Sequence, residues 1–290
     1  MNRQDFRFLH RLRVRWSEVD MQKIVFNAHY LTYVDTAVAD YWRALAMPYE
    51  EAMHLLGGDL YVKKATVEFH ASARMDDLLE VGLKCMRIGN SSMTFAAGIF
   101  RGDVLLIACD LIYVFADPVS QTSRPVPQPL REMLSGYEVG EAMVQVRTGG
   151  WPELGSDARR VRTQVFIEEQ RIAAELEWDD ADATAVHLVA YNRLGQAVAT
   201  GRLLQEQPGI GRIGRMAVQQ PLRGCGLGGQ VLQALLAQAA ARGDREVTLH
   251  AQRSAQGFYA GLGFEPRGEG FEEAGIAHIE MARTLGHGAK

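Results

Sequence analysis

At 290 residues, with 47% hydrophobic and 23% charged side chains, the chain has the make-up of a folded protein long enough for two ordinary domains whose cores need no staples. A formal net charge of −4 gives no overall pull toward nucleic acid, and no apolar run nears the roughly 18 residues of a membrane span. The basic start, MNRQDFRFLHRLRVRW, lacks the apolar core of a secretory signal, and Cys85, Cys109 and Cys225 are too far apart to form a CxxC pair. Both features suit a reduced, cytoplasmic setting. Eight scattered histidines have no ligand spacing, so no metal is expected.

In chain order, Leu12–Trp16 alternates apolar and basic residues and predicts a strand. The loop SEVDMQKIVFN leads into 28–45, where Leu31, Val34, Val38, Tyr41, Trp42 and Leu45 share one helical face. Four β-rich stretches follow: Leu60–Phe69, Leu78–Ile88, Met93–Phe100 and Val104–Phe115. The breaks at Gly89-Asn90 and Arg101-Gly-Asp103 are short enough for hairpin turns. One long helix and a meander of this size describe a helix wrapped by an antiparallel sheet. Asp20, just ahead of the helix, could direct water or itself at a carbonyl whose developing oxyanion faces helix amides. An isolated aspartate in such a loop as readily caps a turn.

The run WSEVDMQKIVFNAHYL resembles the active-site signature of hotdog-fold acyl-CoA thioesterases of the 4-hydroxybenzoyl-CoA type. VEFHASARMDDLLEV and NSSMTF resemble that family's second and third strands, and the likeness covers roughly residues 8 to 130. The resemblance implies that Asp20 is the nucleophile or general base of thioester hydrolysis. It also implies that backbone N–H groups of Phe26, Asn27 and Ala28 polarise the thioester carbonyl. A homo-oligomer, dimer or tetramer, formed through the hotdog sheet and sharing each active site across the interface is a third implication. Two positions depart from the family pattern. Lys23 stands where the turn has glycine, and either alters the turn or adds a charge for a CoA phosphate or an acidic substrate. Asn27 replaces a histidine of one family branch; it can donate a hydrogen bond but cannot act as acid or base near neutral pH. His29 reads as a structural histidine.

Pro118, Pro125, Pro127 and Pro129 keep 117–129 extended and out of a sheet interior. A short helix over Leu130–Leu134 is expected to pack back on the first domain. The boundary is placed near 137, giving domains 1–136 and 137–290.

Beyond it, Ala142–Arg147 predicts a strand, and Ser156–Gln170 a helix with Ser156 as N-cap and Val161, Val165 and Phe166 as its apolar side. Strands follow at Ala185–Asn192, Ala197–Leu204 and Ile210–Val218. After Pro221 comes a basic glycine loop, Arg223-Gly-Cys-Gly-Leu-Gly-Gly229, then an amphipathic helix marked by Val231, Leu232, Leu235, Leu236 and Ala239. A strand at Glu246–Ala251, the segment FYAGLGF over 258–264 and a last strand at Ile276–Thr284 complete the chain. Strand, glycine loop and helix start in that order make an anion site. Bare N–H groups and the helix dipole face the ligand, and the Arg223 fork suits phosphate oxygens. The lysine of a nucleotide-triphosphate loop is missing, and no acidic residue closes a following βαβ unit, which disfavours an NTPase and a dinucleotide fold.

This ordered set resembles the acyl-CoA core of GNAT-type N-acyltransferases, and VRTQVFIEEQ with ELEWD resembles one branch of that family. The resemblance implies an α/β domain with a mixed sheet. The whole chain is then α+β, a hotdog domain followed by a GNAT domain. It further implies acyl-CoA or acetyl-CoA as substrate and an amine as acceptor. Arg223, Gly224, Cys225, Gly226, Leu227 and Gly228 would grip the CoA pyrophosphate, Met216, Ala217 and Val218 would offer backbone groups to the pantetheine arm, and Tyr259 would be the general acid for the departing thiolate. Glu168, Glu169, Glu175, Glu177, Asp179 and Asp180 form an acidic run that either attracts a cationic amine or is a solvated loop. His250 is a further candidate base. Two readings remain: a thioesterase fused to an N-acyltransferase, or one catalytic domain beside a non-catalytic acyl-CoA-binding or oligomerisation module.

Overall fold

Residues 1–286 are described by the computed structural model, and the chain falls into two units, Met1–Met143 and Val144 onward. The first contains β1 (Phe8–Arg13), α1 (Asn27–Ala44), α2 (Tyr49–Leu56), β2 (Asp59–Phe69), β3 (Leu78–Ile88), β4 (Ser92–Arg101), β5 (Val104–Ala116) and α3 (Gln128–Glu138). Its strands make one antiparallel sheet in the order β1-β3-β4-β5-β2. α1 buries Tyr30, Tyr33, Val34, Ala37, Val38, Tyr41 and Trp42, a stripe at helical spacing. The Tyr41 ring meets Phe8 and Phe95 of the sheet edge-on at 5.5 and 5.8 Å, an arrangement that suits aromatic quadrupoles. Leu31, expected on that stripe, is exposed, because the buried face runs through Tyr30, Tyr33 and Val34 and leaves position 31 off it.

The first strand lies earlier than expected. β1 ends at Arg13, where the Val14 amide donates to the Asp77 carbonyl at 3.0 Å and turns the chain inward. Trp16 is left 81% exposed in a short turn. α2 was not anticipated; eight residues are too few to display a period. α3 is longer than expected and buries Leu130, Met133, Leu134 and Tyr137 within the first unit. The division of the chain therefore falls past Tyr137.

The second unit contains β6 (Val144–Gly149), α4 (Trp151–Arg162), α5 (Ala174–Glu177), β7 (Val186–Asn192), β8 (Ala197–Gln207), β9 (Ile210–Val218), α6 (Leu227–Arg242), β10 (Glu246–Gln252), α7 (Gln256–Ala260), β11 (Glu265–Glu273) and β12 (Ile276–Thr284). Seven strands form a mixed sheet in the order β11-β12-β10-β9-β8-β7-β6, antiparallel except where β9 meets β10. α4 packs Leu154, Ala158 and Val161 against Val189, Tyr191 and Ala217 of the sheet. It starts at Trp151, not at Ser156: Gly150 precedes it, and Pro152 sits in the first turn, where a missing N–H removes no helical bond. Past Arg162 the helix widens into a π turn over Thr163–Glu169. β11 was also missed. It is an edge strand, exposed at every position, so it shows no apolar alternation.

Candidate active sites

In the first unit, the loop between β1 and α1 is folded by two acids. Asp20 Oδ1 accepts the Gln22 amide at 2.7 Å. The Asp20 carbonyl accepts the Lys23 amide, and its own amide donates to the Ile24 carbonyl, both at 2.9 Å. This tight loop holds Lys23 at φ +62°, the left-handed region that glycine enters without penalty. The lysine keeps the turn and carries its strain.

Glu18 was passed over in the sequence, yet it fixes where this loop meets α1. Its buried carboxylate accepts the Arg15 amide at 2.7 Å and the Tyr33 hydroxyl at 2.6 Å, and pairs with the Arg15 guanidinium. Burial works to raise its pKa, but these donors outweigh burial and hold the carboxyl below its ordinary value. The Glu18 carbonyl accepts the Phe26 amide at 2.9 Å. Of the three expected oxyanion donors, Phe26 is thus already committed, a consequence of its extended conformation one residue before the helix. The amides of Asn27 and Ala28, in the first turn of α1, meet no acceptor among the described residues.

In the second unit the chemistry gathers where two strands part. β9 and β10 pair in parallel only over Ile210–Ile213 and Glu246–Leu249. Beyond that point β9 stays with β8, and β10 stays with β12 as far as Gln252. A bulge drives the parting: Gly201 of β8 faces both Arg215 and Met216 of β9, and Arg215 takes φ +51°. A Cβ at Gly201 would lie 2.6 Å from the Met216 sulfur, so any larger residue there would push the Met216 side chain aside. The gap opens into a cavity of about 550 Å³ whose lining includes Met216, Tyr259, His250, Arg212 and Glu273.

The glycine loop lies at the end of β9. Gly224 and Gly226 adopt φ +82° and +83°, and Gly226 immediately precedes α6. The amides of Gly224, Gly226, Leu227 and Gly228 meet no acceptor among the described residues, so they form a bare cradle at a helix start. Arg223 departs from expectation. Its fork is already closed on Glu169, at 2.7 and 2.6 Å, and its Nε donates to the Val218 carbonyl at 3.1 Å.

The family model described as an acetyltransferase (GNAT) domain matches residues 154–285, and the thioesterase-superfamily model matches 22–108, starting two residues after Asp20. A Bacillus subtilis protein named uncharacterized N-acetyltransferase YjcF is 35% identical over 128 residues, 44% of this chain and 90% of its own length. Protein ElaA of Escherichia coli is 34% identical over 130 residues, 43% of this chain and 84% of its own. The second unit belongs to the GNAT acetyltransferases. The first is a hotdog domain of the thioesterase superfamily. Among solved structures, an acyl-CoA N-acyltransferase from Pseudomonas aeruginosa is 32% identical, covers 48% of this chain and 99% of its own, and has a TM-score of 0.44. A 1,4-dihydroxy-2-naphthoyl-CoA thioesterase from Synechocystis is 18% identical, with 44% and 95% covered and a TM-score of 0.41.

The acidic run of the GNAT domain is neither a solvated loop throughout nor a free negative patch. Arg162, buried between Trp151 and Trp178, donates to Glu177 at 2.5 Å and to Asp182 at 2.8 Å. Arg202 holds Asp179 at 2.6 Å and Asp182 at 2.7 Å, while Arg215 reaches Glu177 at 3.2 Å and Asp179 at 3.3 Å. Three guanidinium groups answer three carboxylates. Glu168, Glu175 and Asp180 remain exposed outside this network. Tyr259, on α7, is buried with its ring edge-on to Phe258 and Phe264, at 4.9 and 6.0 Å. Burial pushes its hydroxyl up to about 12.

Proposed function

We propose that the chain is a bifunctional acyl-CoA enzyme: its hotdog domain hydrolyses thioesters, and its GNAT domain transfers an acyl group from CoA to an amine. The carrying observation is the pairing of the parted strands with the bare amide cradle. A bare helix start beside a strand edge that β10 leaves uncovered at Met216 and Ala217, with Arg223 closing on Val218, is what a long pantetheine-tailed carrier needs. With the carrier aligned, an amine in the cavity attacks the thioester as an intramolecular reaction would, and Tyr259 gives its proton to the departing thiolate.

In the hotdog domain, Asp20 acts as nucleophile or base, and the Asn27 and Ala28 amides take the developing oxyanion at the positive end of α1. A dimer or tetramer through this domain would cover its exposed Phe26, Leu31, Val62 and Phe69. We place the enzyme in the cytoplasm, where Cys85, Cys109 and Cys225, which form no disulfide among the described residues, stay reduced. The second reading, a hotdog domain that binds acyl-CoA without turnover, is favoured by one observation: Lys23 and Asn27 replace the glycine and histidine of the catalytic pattern.

The test follows thiol release from a panel of acyl-CoAs, with and without amines. Amine-independent release should vanish in Asp20→Asn, and amine-dependent release should fall in Tyr259→Phe with CoA binding intact. Equal release by wild type and Asp20→Asn would remove Asp20 from the reaction.

A further inference from the structure

Before it can attack, an acceptor amine that arrives as an ammonium must lose a proton, and the groups described so far leave that step without a base. Two residues from different strands meet on the wall of the GNAT cavity. His250, just past the last residue of β10 that pairs with β9, lies where the two strands have separated. Glu273, at the end of β11, places Oε2 3.0 Å from His250 Nδ1. Phe271 braces the imidazole edge-on at 4.6 Å and stacks on His278 at 6.0 Å. Glu273 is held below its ordinary pKa: burial opposes this, and the His250 hydrogen bond leads the groups that outweigh burial. A carboxylate at Nδ1 fixes the tautomer with Nδ1–H and leaves the lone pair on Nε2.

The Arg212 NH2 group lies 3.0 Å from Nδ1 and 3.1 Å from Nε2, so a guanidinium rests against the imidazole at nearly equal distance from both ring nitrogens. Arg212 has a second partner, Glu206 at 3.5 Å, which also accepts the Thr248 hydroxyl at 3.0 Å. The charged and titratable groups around His250 are Arg212 and Arg215 from β9, Glu273 from β11, and from β12 its cross-strand partner Glu280, with His278 behind Phe271.

We infer that His250 is the general base that deprotonates the acceptor and that Glu273 is its positioning residue. This rests on the acyl-transfer reading above. The ammonium gives one proton to Nε2, making imidazolium. The neutral nitrogen attacks the thioester carbon, forming the C–N bond, and the C–S bond breaks with its electron pair going to sulfur. The thiolate takes the Tyr259 proton, the second proton of the new amide nitrogen returns to the tyrosinate, and imidazolium releases its proton to water. Among the residues lining this cavity, Glu273 comes from an edge strand that sequence periodicity passes over, which is why the pair is invisible until the chain is folded.

The test uses the full chain. Imidazole nitrogen NMR, with the His250 signal assigned by its loss in His250→Gln, should find the free protein's neutral ring protonated at Nδ1, and Glu273→Gln should shift it toward the Nε2-protonated form. Acetyl-CoA and a panel of primary amines (a polyamine, an α-amino acid, a lysine peptide) then give the rate profile against pH. His250→Gln should lower kcat/KM by about 100-fold or more and abolish the acid limb. Glu273→Gln should lower kcat with KM for acetyl-CoA unchanged. A ring protonated at Nε2 in the wild type, or an acid limb that survives in His250→Gln, overturns the inference. A wild type inactive toward every amine overturns the acyl-transfer reading itself and the base role with it; a tautomer result against Nδ1–H overturns only the latter.

Discussion

The Arg223–Glu169 pair makes a quantitative statement about coenzyme A binding. The guanidinium that should grip pyrophosphate is closed on a carboxylate through two parallel bonds of 2.7 and 2.6 Å. CoA must therefore either displace Glu169 or bind beside it. Both side chains are substantially solvent-exposed, 41% for Arg223 and 30% for Glu169, so water and salt screen the pair and its worth is that of a surface ion pair, at most ~1 kcal/mol. Removing the competing carboxylate in Glu169→Gln returns that amount to the ligand. CoA should then bind up to about fivefold more tightly at low salt, with the gain shrinking as ionic strength rises. Arg223 itself stays in place, because its Nε is bonded to the Val218 carbonyl. Titration calorimetry with CoA measures the effect in the wild type, in Glu169→Gln, in Arg223→Gln and in the double variant. Arg223→Gln should weaken binding, and Glu169→Gln should then have no further effect. An affinity that is unchanged or reduced in Glu169→Gln, or the same gain in the Arg223→Gln background, would refute the competition.

Three further outcomes follow from named contacts. Lys23→Gly should stabilise the hotdog domain by about 1 kcal/mol, since a left-handed non-glycine residue costs roughly 1–2 kcal/mol and glycine's extra unfolded-state freedom offsets part of that; urea unfolding of the full chain reads it as a later first-domain midpoint. Arg162→Met should destabilise the GNAT domain by roughly 3–5 kcal/mol, because it strips a buried partner from Glu177 and Asp182; a loss under about 1 kcal/mol in denaturant unfolding would contradict the network's role. Glu80 is held down to about 2 by hydrogen bonds from Arg3, with Arg11 adding to it. A carboxyl depressed in the fold contributes stability that is complete above its unfolded value of about 4.3 and is lost as pH falls toward 2, so Glu80→Gln should flatten the stability profile in that window and leave pH 7 the flatter reference.

What could be read from the chain follows a physical division. Elements that bury a periodic face announced themselves: α1, β3 to β5, β9 and α6 each sit within a few residues of expectation, because apolar spacing is dictated by the face they hide. Elements lacking a buried periodic face did not. α2 is too short, β11 is exposed throughout, and the start of α4 depends on Gly150 and Pro152, which carry no apolar period. The glycine loop and the Asp20 turn were legible because backbone conformation itself demands those residues, even where Lys23 takes a glycine's place.

The pairings of the sites were hidden for a different reason. Glu18 with Tyr33, Arg223 with Glu169 and His250 with Glu273 join residues 15, 54 and 23 positions apart, with no helical or strand period to tie them. Each of these carboxylates reads in the sequence as one more surface acid. Folding sorts them by what they meet: a buried tyrosine and an exposed arginine, the Arg223 fork beside the glycine loop, and an imidazole on a cavity wall. The acidic run makes the same point from the other side. Six acids in sequence suggested an attraction for cations, but Arg162, Arg202 and Arg215 arrive from α4, β8 and β9 to neutralise the ones that turn inward. Glu177 and Asp179 thus reach the GNAT cavity wall already paired with guanidinium groups, and Arg212 on the same wall lies between His250 and Glu206.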